Sequence, residues 1–316
     1  MPAEHLTLLK PTPQPSPLRM ALDAFLLSRE AMRCTPKTLG AYRYALGNFL
    51  EYLEAQGLTR PQDITPQHIR AFLVHLQRRG LKDTTVHLHA RCLKTWLRYL
   101  VEEGDIPENP MRRVAMPRLE KRVPPPFAPE EVQRLLAACD RRTPKGLRDY
   151  ALILCLLDTG LRAAELCSLR VKDVDMRTGL VTVLGKGRKQ RVVRLGSKGR
   201  AALLRYLATR GSVSPDAPLW VGYTLRGEPD APLSVHGLQT LLQRLGKRAG
   251  VLPCGAHRFR RTFALWCLRD GMDLHSLRLL MGHSDLTVLQ RYLALAGEDV
   301  ERAHRAHSPV DRLLSP

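Results

Sequence analysis

The sequence predicts a mainly α-helical protein of two domains: an N-terminal helical bundle over residues 18–115, and a mixed α/β domain over residues 127–305 that is mostly helical with one small antiparallel β-sheet. Three observations predict it. Apolar residues recur at helical spacing through long stretches of the chain. A proline- and charge-rich segment, residues 116–126 (MPRLEKRVPPP), breaks that pattern and favours an extended linker. Short β-branched runs flank Gly185-Lys186-Gly187, a hairpin signal. A length of 316 residues suits two ordinary domains, and 44% hydrophobic residues with only 5% aromatics supply aliphatic cores.

A proline-rich tail gives way to helical patterning near Leu18, and the first helix covers about Met20 to Ser28. Thr35-Pro36-Lys37-Thr38 supplies a cap and a first-turn proline. Leu39, Tyr42, Leu46, Phe49, Leu50 and Leu53 then follow at helical spacing, with Gly57 as the stop. Thr65-Pro66 repeats the pattern, with Ile69, Phe72, Leu73 and Leu76 as the apolar stripe and Gly80 as the stop. A further helix runs from about Thr85 to Glu103, turning Val86, Leu93, Trp96, Leu97 and Leu100 inward. Together these make a bundle of four or five helices, ended by Asn109-Pro110. The second domain opens at Pro129. Tyr150 to Leu157 reads as a buried helix ending near Gly160, and Leu180–Val183 with Arg191–Leu195 as the hairpin. Helices near 199–209, 235–249, 257–270, 274–281 and 285–295 follow, then a short helix over Gly297–His304 and a tail at 306–316.

The 50 Lys+Arg against 30 Asp+Glu leave a formal charge of +20, an excess that a polyanion would neutralise, which points to nucleic acid. A ribosomal or merely soluble basic protein fits that charge equally, so it says nothing about chemistry. The longest apolar run, Ala151 to Leu157, is too short to cross a bilayer, and Met1 to Pro17 lacks a signal-peptide pattern. Seven cysteines (Cys34, Cys92, Cys139, Cys155, Cys167, Cys254 and Cys267) include no CxxC, which argues against a disulfide framework or zinc ribbon. The expected location is the cytoplasm, on the nucleoid, with no membrane contact.

Five stretches carry groups able to do chemistry, each weak alone. In Thr159-Gly160-Leu161-Arg162-Ala163-Ala164-Glu165-Leu166, a glycine ends one helix and Arg162 opens the next, where guanidinium and backbone N–H groups can face an anion. Glu165, one turn on, can hold Arg162; an ordinary surface ion pair is the plainer reading. Gly185-Lys186-Gly187-Arg188-Lys189-Gln190-Arg191 puts lysines on a glycine-flanked turn, where an ammonium can protonate a leaving alkoxide. Lys186 and Lys189 compete for that role, and a solvated hairpin tip is common. In His257-Arg258-Phe259-Arg260, His257 and Arg260 share a helix face while Phe259 packs away. Met281-Gly282-His283-Ser284-Asp285 is a glycine break followed by a cap, and Tyr292 lies within Leu289-Gln290-Arg291-Tyr292-Leu293. At about 100° per residue, one unbroken helix would point His283 and Tyr292 to opposite sides; the Gly282 break removes that conflict.

As a set, two arginines, a lysine, two histidines and a tyrosine suit metal-free phosphoryl transfer at a DNA phosphodiester. Guanidinium groups clamp the charge that spreads over the non-bridging oxygens. A tyrosine nucleophile, with a free pKa of about 10, needs a base or cationic surroundings. The segments TGLRAAEL, LGKGRKQRVVRL, HRFRRTFA, LMGHSDLTVLQRY and TPKTLGAYRYALGNFLEYL resemble the tyrosine recombinases of the phage-integrase and Xer type, in that family's order and over nearly the whole chain. The resemblance implies a SAM-like core-DNA-binding domain, a catalytic domain and no cofactor. It implies that Arg162 and Arg260 clamp the phosphate and that Lys186 is the general acid. By the same resemblance His257 assists proton transfer, His283 hydrogen-bonds the scissile phosphate, Glu165 supports, and Tyr292 forms a 3′-phosphotyrosine. It implies double-stranded DNA with paired recombination sites as the partner, gripped by a C-shaped clamp. Four protomers, as a homo-tetramer or a hetero-tetramer with a related recombinase, would exchange strands through a Holliday junction. Thr38, Thr84, Arg188, Lys189 and Arg258 are candidate DNA contacts. The C-terminal residues look more like a mobile-element integrase than a chromosome-dimer resolvase, and the stretch before Leu18 suggests no added arm-binding domain.

The competing readings are a non-catalytic DNA-binding or architectural protein, a metal-dependent transposase or nuclease, and a type IB topoisomerase. The metal-dependent class needs converging carboxylates, and no such triad on strands stands out. A zinc site of Cys254, His257 and Cys267 lacks a second ligand pair in sequence, so no metal is expected.

Overall fold

The computed structural model describes residues 15–119, 125–185, 190–224 and 226–282, and the chain divides into two compact units, Met1–Arg122 and Val123–Pro316.

Among the described residues the first unit contains four α-helices: α1 (Pro17–Ala31), α2 (Pro36–Glu54), α3 (Pro66–Arg78) and α4 (Asp83–Glu102). Three begin the same way, with Ser16, Thr35 or Thr65 as N-cap and a proline in the first turn. Each cap oxygen accepts the N–H three residues on, which satisfies a donor that the helix cannot. At α3 the cap is reciprocal, because His68 Nδ1 accepts the Thr65 N–H. The stripes read from the sequence are the interior. Leu46, Phe49 and Leu53 of α2, Ile69, Phe72 and Leu76 of α3, and Val86, Leu93, Trp96 and Leu100 of α4 form one core. Phe49 sits edge-on to Phe72 and to Trp96 at its centre. Asn109 caps a short 3₁₀ turn, Pro110–Arg113, that buries Met111 against the bundle.

In the second unit the elements are α5 (Pro129–Ala137), α6 (Pro144–Thr159), α7 (Ala163–Ser168), β1 (Leu180–Leu184), β2 (Gln190–Arg194), α8 (Ser197–Ala208), β3 (Val221–Tyr223), β4 (Pro229–Pro232), α9 (Val235–Ala249), α10 (Ala256–Arg269) and α11 (Leu274–Met281). The mainly helical class with its small antiparallel sheet is as the sequence predicts. Helix α6 is the central rod, packed between α8 and α10 through Ala151, Leu152, Cys155 and Leu156. It starts well before Tyr150, because Thr143 caps it and Pro144 enters its first turn.

Strands β1 and β2 pair in the register Leu180↔Arg194 to Leu184↔Gln190, with Val181, Val183 and Val193 facing the core. A second two-stranded ribbon, β3 with β4, lies where helix alone was expected after Leu195. All four residues of β4 are exposed and two are prolines, so no apolar alternation announces it. Helix α11 docks on α10 through a separate cluster of Phe263, Ala264, Leu277 and Met281. That contact fixes the end of α11, where the site forms. Among the described residues, no helix is long and apolar enough to cross a membrane.

Candidate active site

The site assembles around the carbonyl end of α11. Helix α6 stops at Gly160, whose φ of +59° is the left-handed conformation that favours glycine. A Cβ at Gly160 would also fall on the Phe263 ring of α10, so glycine is required here for space as well as conformation. The reversal delivers Arg162 as the N-cap of α7. Its backbone N–H donates to Glu165 Oε2 at 2.8 Å, and its Nη1 donates to Oε1 at 2.8 Å. Glu165 thus holds Arg162 by main chain and side chain together, and the backbone N–H offered to an anion in the sequence reading is occupied by Glu165 instead. Arg162 Nη2 reaches the Gly282 carbonyl at 3.2 Å, and 39% of the side chain stays exposed.

Arg260 approaches from α10. It is buried, and its two terminal nitrogens donate to Gly160 O and Met281 O, each at 2.6 Å. His257 lies one turn earlier on the same helix and is exposed. Phe259 turns the other way and packs against Phe127 at 4.6 Å between ring centres.

A third guanidinium, Arg191 of β2, was not singled out in the sequence. Its terminal nitrogens fork onto both oxygens of Glu165 at 2.9 and 2.8 Å, and its Nε donates to Leu280 O at 2.8 Å. The available signal was alternation: Arg191 occupies the same inward-facing register as Val193 and Leu195, opposite the buried Val183. A charge in that register needs a buried partner. As a result, Leu280, Met281 and Gly282 present three successive carbonyls to Arg191, Arg260 and Arg162. These are the orphan acceptors of a helix end, where the helix dipole is negative. Gly282 itself closes α11 with φ +61°, the break expected there. Burial pushes the Glu165 carboxyl up, but the hydrogen bond from Arg191, the Arg162 N–H, the positive charge of Arg191 and the hydrogen bond from the Arg162 guanidinium outweigh it and hold the group down at about 2.

Lys186, Arg188, Lys189, His283 and Tyr292 lie outside the described residues, as do the helices expected at 285–295 and 297–304. Thr38 and Thr84 are exposed at the starts of α2 and α4, and Thr38 lines a groove with Arg91 and Thr95. Arg258, a candidate DNA contact by sequence, is corrected by the structure. It is buried, donates to both oxygens of Glu131 and to the carbonyls of Pro125 and Pro253, and lies 4.0 Å over the Phe127 ring. His257, one position before it, is exposed, whereas Arg258 is a strut of the domain. Cys254 is buried and its thiol is pushed up to about 12, while burial takes that of Cys267 to about 11. Among the described residues no three His, Cys, Asp or Glu side chains gather as metal ligands.

Comparisons with known proteins bear on the family of the chain. The phage integrase family model matches residues 126–298, and the model of the phage integrase N-terminal SAM-like domain matches residues 22–104. The chain is 32% identical over 280 residues to tyrosine recombinase XerC of Bacillus pumilus, covering 86% of this chain and 90% of that protein. It is 30% identical over 257 residues to tyrosine recombinase XerD of Listeria monocytogenes, covering 81% and 86%. Among solved structures, the Tn1549 transposon integrase in complex with a circular intermediate DNA shares the fold with a TM-score of 0.70 at 20% identity, over 91% of this chain and 99% of that one. A lambda integrase dimer bound to a COC′ core site gives 0.69 at 20% identity, over 87% and 76%. Matched in both its compact units, the chain belongs to the phage integrase family of tyrosine recombinases.

Proposed function

We propose that this protein is a site-specific DNA recombinase that cuts and rejoins strands through a 3′-phosphotyrosine at Tyr292, without metal or ATP. The observation that carries the reading is the convergence of Arg162, Arg191 and Arg260 on the last carbonyls of α11, with Glu165 bridging the first two. The chain runs from there directly into His283 and, nine residues later, Tyr292. Family membership supports the recombination itself.

In this mechanism the Tyr292 oxygen attacks the scissile phosphorus, and the bond to the 5′-oxygen breaks. Arg162 and Arg260 neutralise the charge gathering on the non-bridging oxygens, so no divalent cation is needed. His257 takes up the phenol proton, and His283 adds a hydrogen bond to the phosphate. Lys186, which falls between β1 and β2 in the sequence, protonates the leaving 5′-oxygen. The phosphodiester energy is kept in the phosphotyrosine, so a 5′-hydroxyl from a partner strand reverses the step without a nucleotide cofactor. The partner is double-stranded DNA with paired sites, bound by four protomers, as a homo-tetramer or with a related recombinase, on the cytoplasmic nucleoid. Thr38, Thr84, Arg188 and Lys189 are proposed DNA contacts.

The test is a nicked duplex carrying a core site recovered from a random-sequence pool by binding to this protein. With excess EDTA, wild type should become covalently joined to the strand on a denaturing gel, while Tyr292→Phe binds and is not captured. Cleavage that EDTA abolishes, or capture that survives Tyr292→Phe, contradicts the mechanism. Lys186→Ala should recover when sulfur replaces the leaving 5′-oxygen; if Lys189→Ala recovers instead, the proton comes from Lys189.

A further inference from the structure

Arg191 and Arg162 share Glu165 but differ in what they leave open. The Arg162 side chain is 39% exposed and the Arg191 side chain only 12%. Each nitrogen of the Arg191 guanidinium donates to protein: the two terminal ones fork onto Glu165, and Nε reaches Leu280 O. So bound, and with little of its side chain exposed, Arg191 ties protein segments together while Arg162 faces outward. Arg191 joins three chain segments, namely β2, the first turn of α7 with Glu165, and the last turn of α11. Gly282 is fitted against it as well, since a Cβ there would lie 3.1 Å from Arg191 Cδ and 3.2 Å from Nε.

We infer that Arg191 is a positioning residue for strand cleavage: by gripping Glu165 against the end of α11, it sets the Arg162 guanidinium where the phosphate must lie. The inference rests on the recombinase reading above and adds a residue that acts through another. Without Arg191, Glu165 keeps Arg162 as its single cationic partner and loses its own tie to α11, so that Arg162 is held there only by its 3.2 Å bond to Gly282 O and by the Arg260 bridge from Gly160 to Met281. Arg162 then samples orientations in which it cannot meet the phosphate. Lysine is not an equivalent replacement, because one ammonium cannot span both carboxylate oxygens and a carbonyl.

A double-substitution cycle on the full-length protein tests this, read as the single-turnover rate of covalent capture on the nicked duplex. Arg191→Gln should slow capture by about thirty- to a hundredfold, the usual cost of a small misplacement in a reacting site. DNA affinity, dominated by phosphate contacts elsewhere, should stay within about threefold. Combined with Arg162→Ala, Arg191→Gln should slow capture no further than Arg162→Ala alone, because its effect runs through Arg162. A merely structural role would not give that result: general destabilisation multiplies the two losses. Multiplied losses, or capture within threefold of wild type for Arg191→Gln, overturn the inference. If Arg191→Gln melts below the assay temperature, Arg191→Lys is put through the same cycle with the same criteria. Absence of covalent product from wild type would instead defeat the recombinase reading, and this inference with it.

Discussion

Two arginine–glutamate pairs in the second unit do different work with the same chemistry. Arg258 and Glu131 form a closed pair: the guanidinium is buried over Phe127, and its donors go to one carboxylate and nearby carbonyls. Arg162 and Glu165 form an open one, sharing the carboxylate with Arg191 while Arg162 keeps much of its surface toward solvent. The difference teaches that an arginine's role lies in what its remaining donors face. The closed pair fastens the start of the domain to α10. The open one leaves a cation beside the end of α11, where a phosphate can take up the unused donors.

Breaking the open group should be felt in chemistry. Arg260→Ala and Arg162→Ala should each reduce strand cleavage by about two to four orders of magnitude, through lost transition-state charge stabilisation, with binding retained. Single-turnover capture checks this, and a loss below tenfold would remove either residue from the site. Breaking the closed pair should be felt in stability. Arg258→Ala strands the Glu131 carboxylate and should cost on the order of 3 kcal/mol in denaturant unfolding. The cleavage rate of the folded fraction should be unchanged; a variant that folds normally but cleaves slowly would return Arg258 to the DNA.

Acid sharpens the comparison. Glu165 is held at about 2 in the folded chain against an ordinary value of 4.5. Its folded value is depressed, so its contribution is present above about pH 4.5 and is lost as pH falls toward 2. That contribution is on the order of 3 kcal/mol. Glu165→Gln should therefore flatten the acid limb of the stability curve between those values. An unchanged limb would mean that the two guanidiniums do not hold this carboxylate. The smallest effect is one of salt: affinity for DNA should fall steeply and linearly on a logarithmic scale. Arg258→Ala should leave that slope unchanged.

Much of this was legible in the sequence because it is local. The caps at Thr35 and Thr65, the stop at Gly160 and the apolar stripes of α2 to α4 are each set by residues a few positions apart. The pairing of Arg162 with Glu165 is local for the same reason. What stayed hidden depends on distant partners. Arg191 finds Glu165 across 26 residues and Leu280 across 89, and Arg258 finds Glu131 across 127. In sequence both look like further members of a basic protein's surface. Only the inward register of β2 hinted at the first, and nothing adjacent hinted at the second. The β3–β4 ribbon was hidden because its prolines and exposed residues carry no strand periodicity.

In the proposed mechanism the groups at the end of α11 serve a covalent attack by Tyr292 on a DNA phosphate. The most direct measurement is the mass of the peptide left on the DNA after wild-type capture on the nicked duplex, protease digestion and nuclease trimming. A single modified peptide with the nucleotide on Tyr292 is expected, and none from Tyr292→Phe. Attachment at any other residue would contradict it.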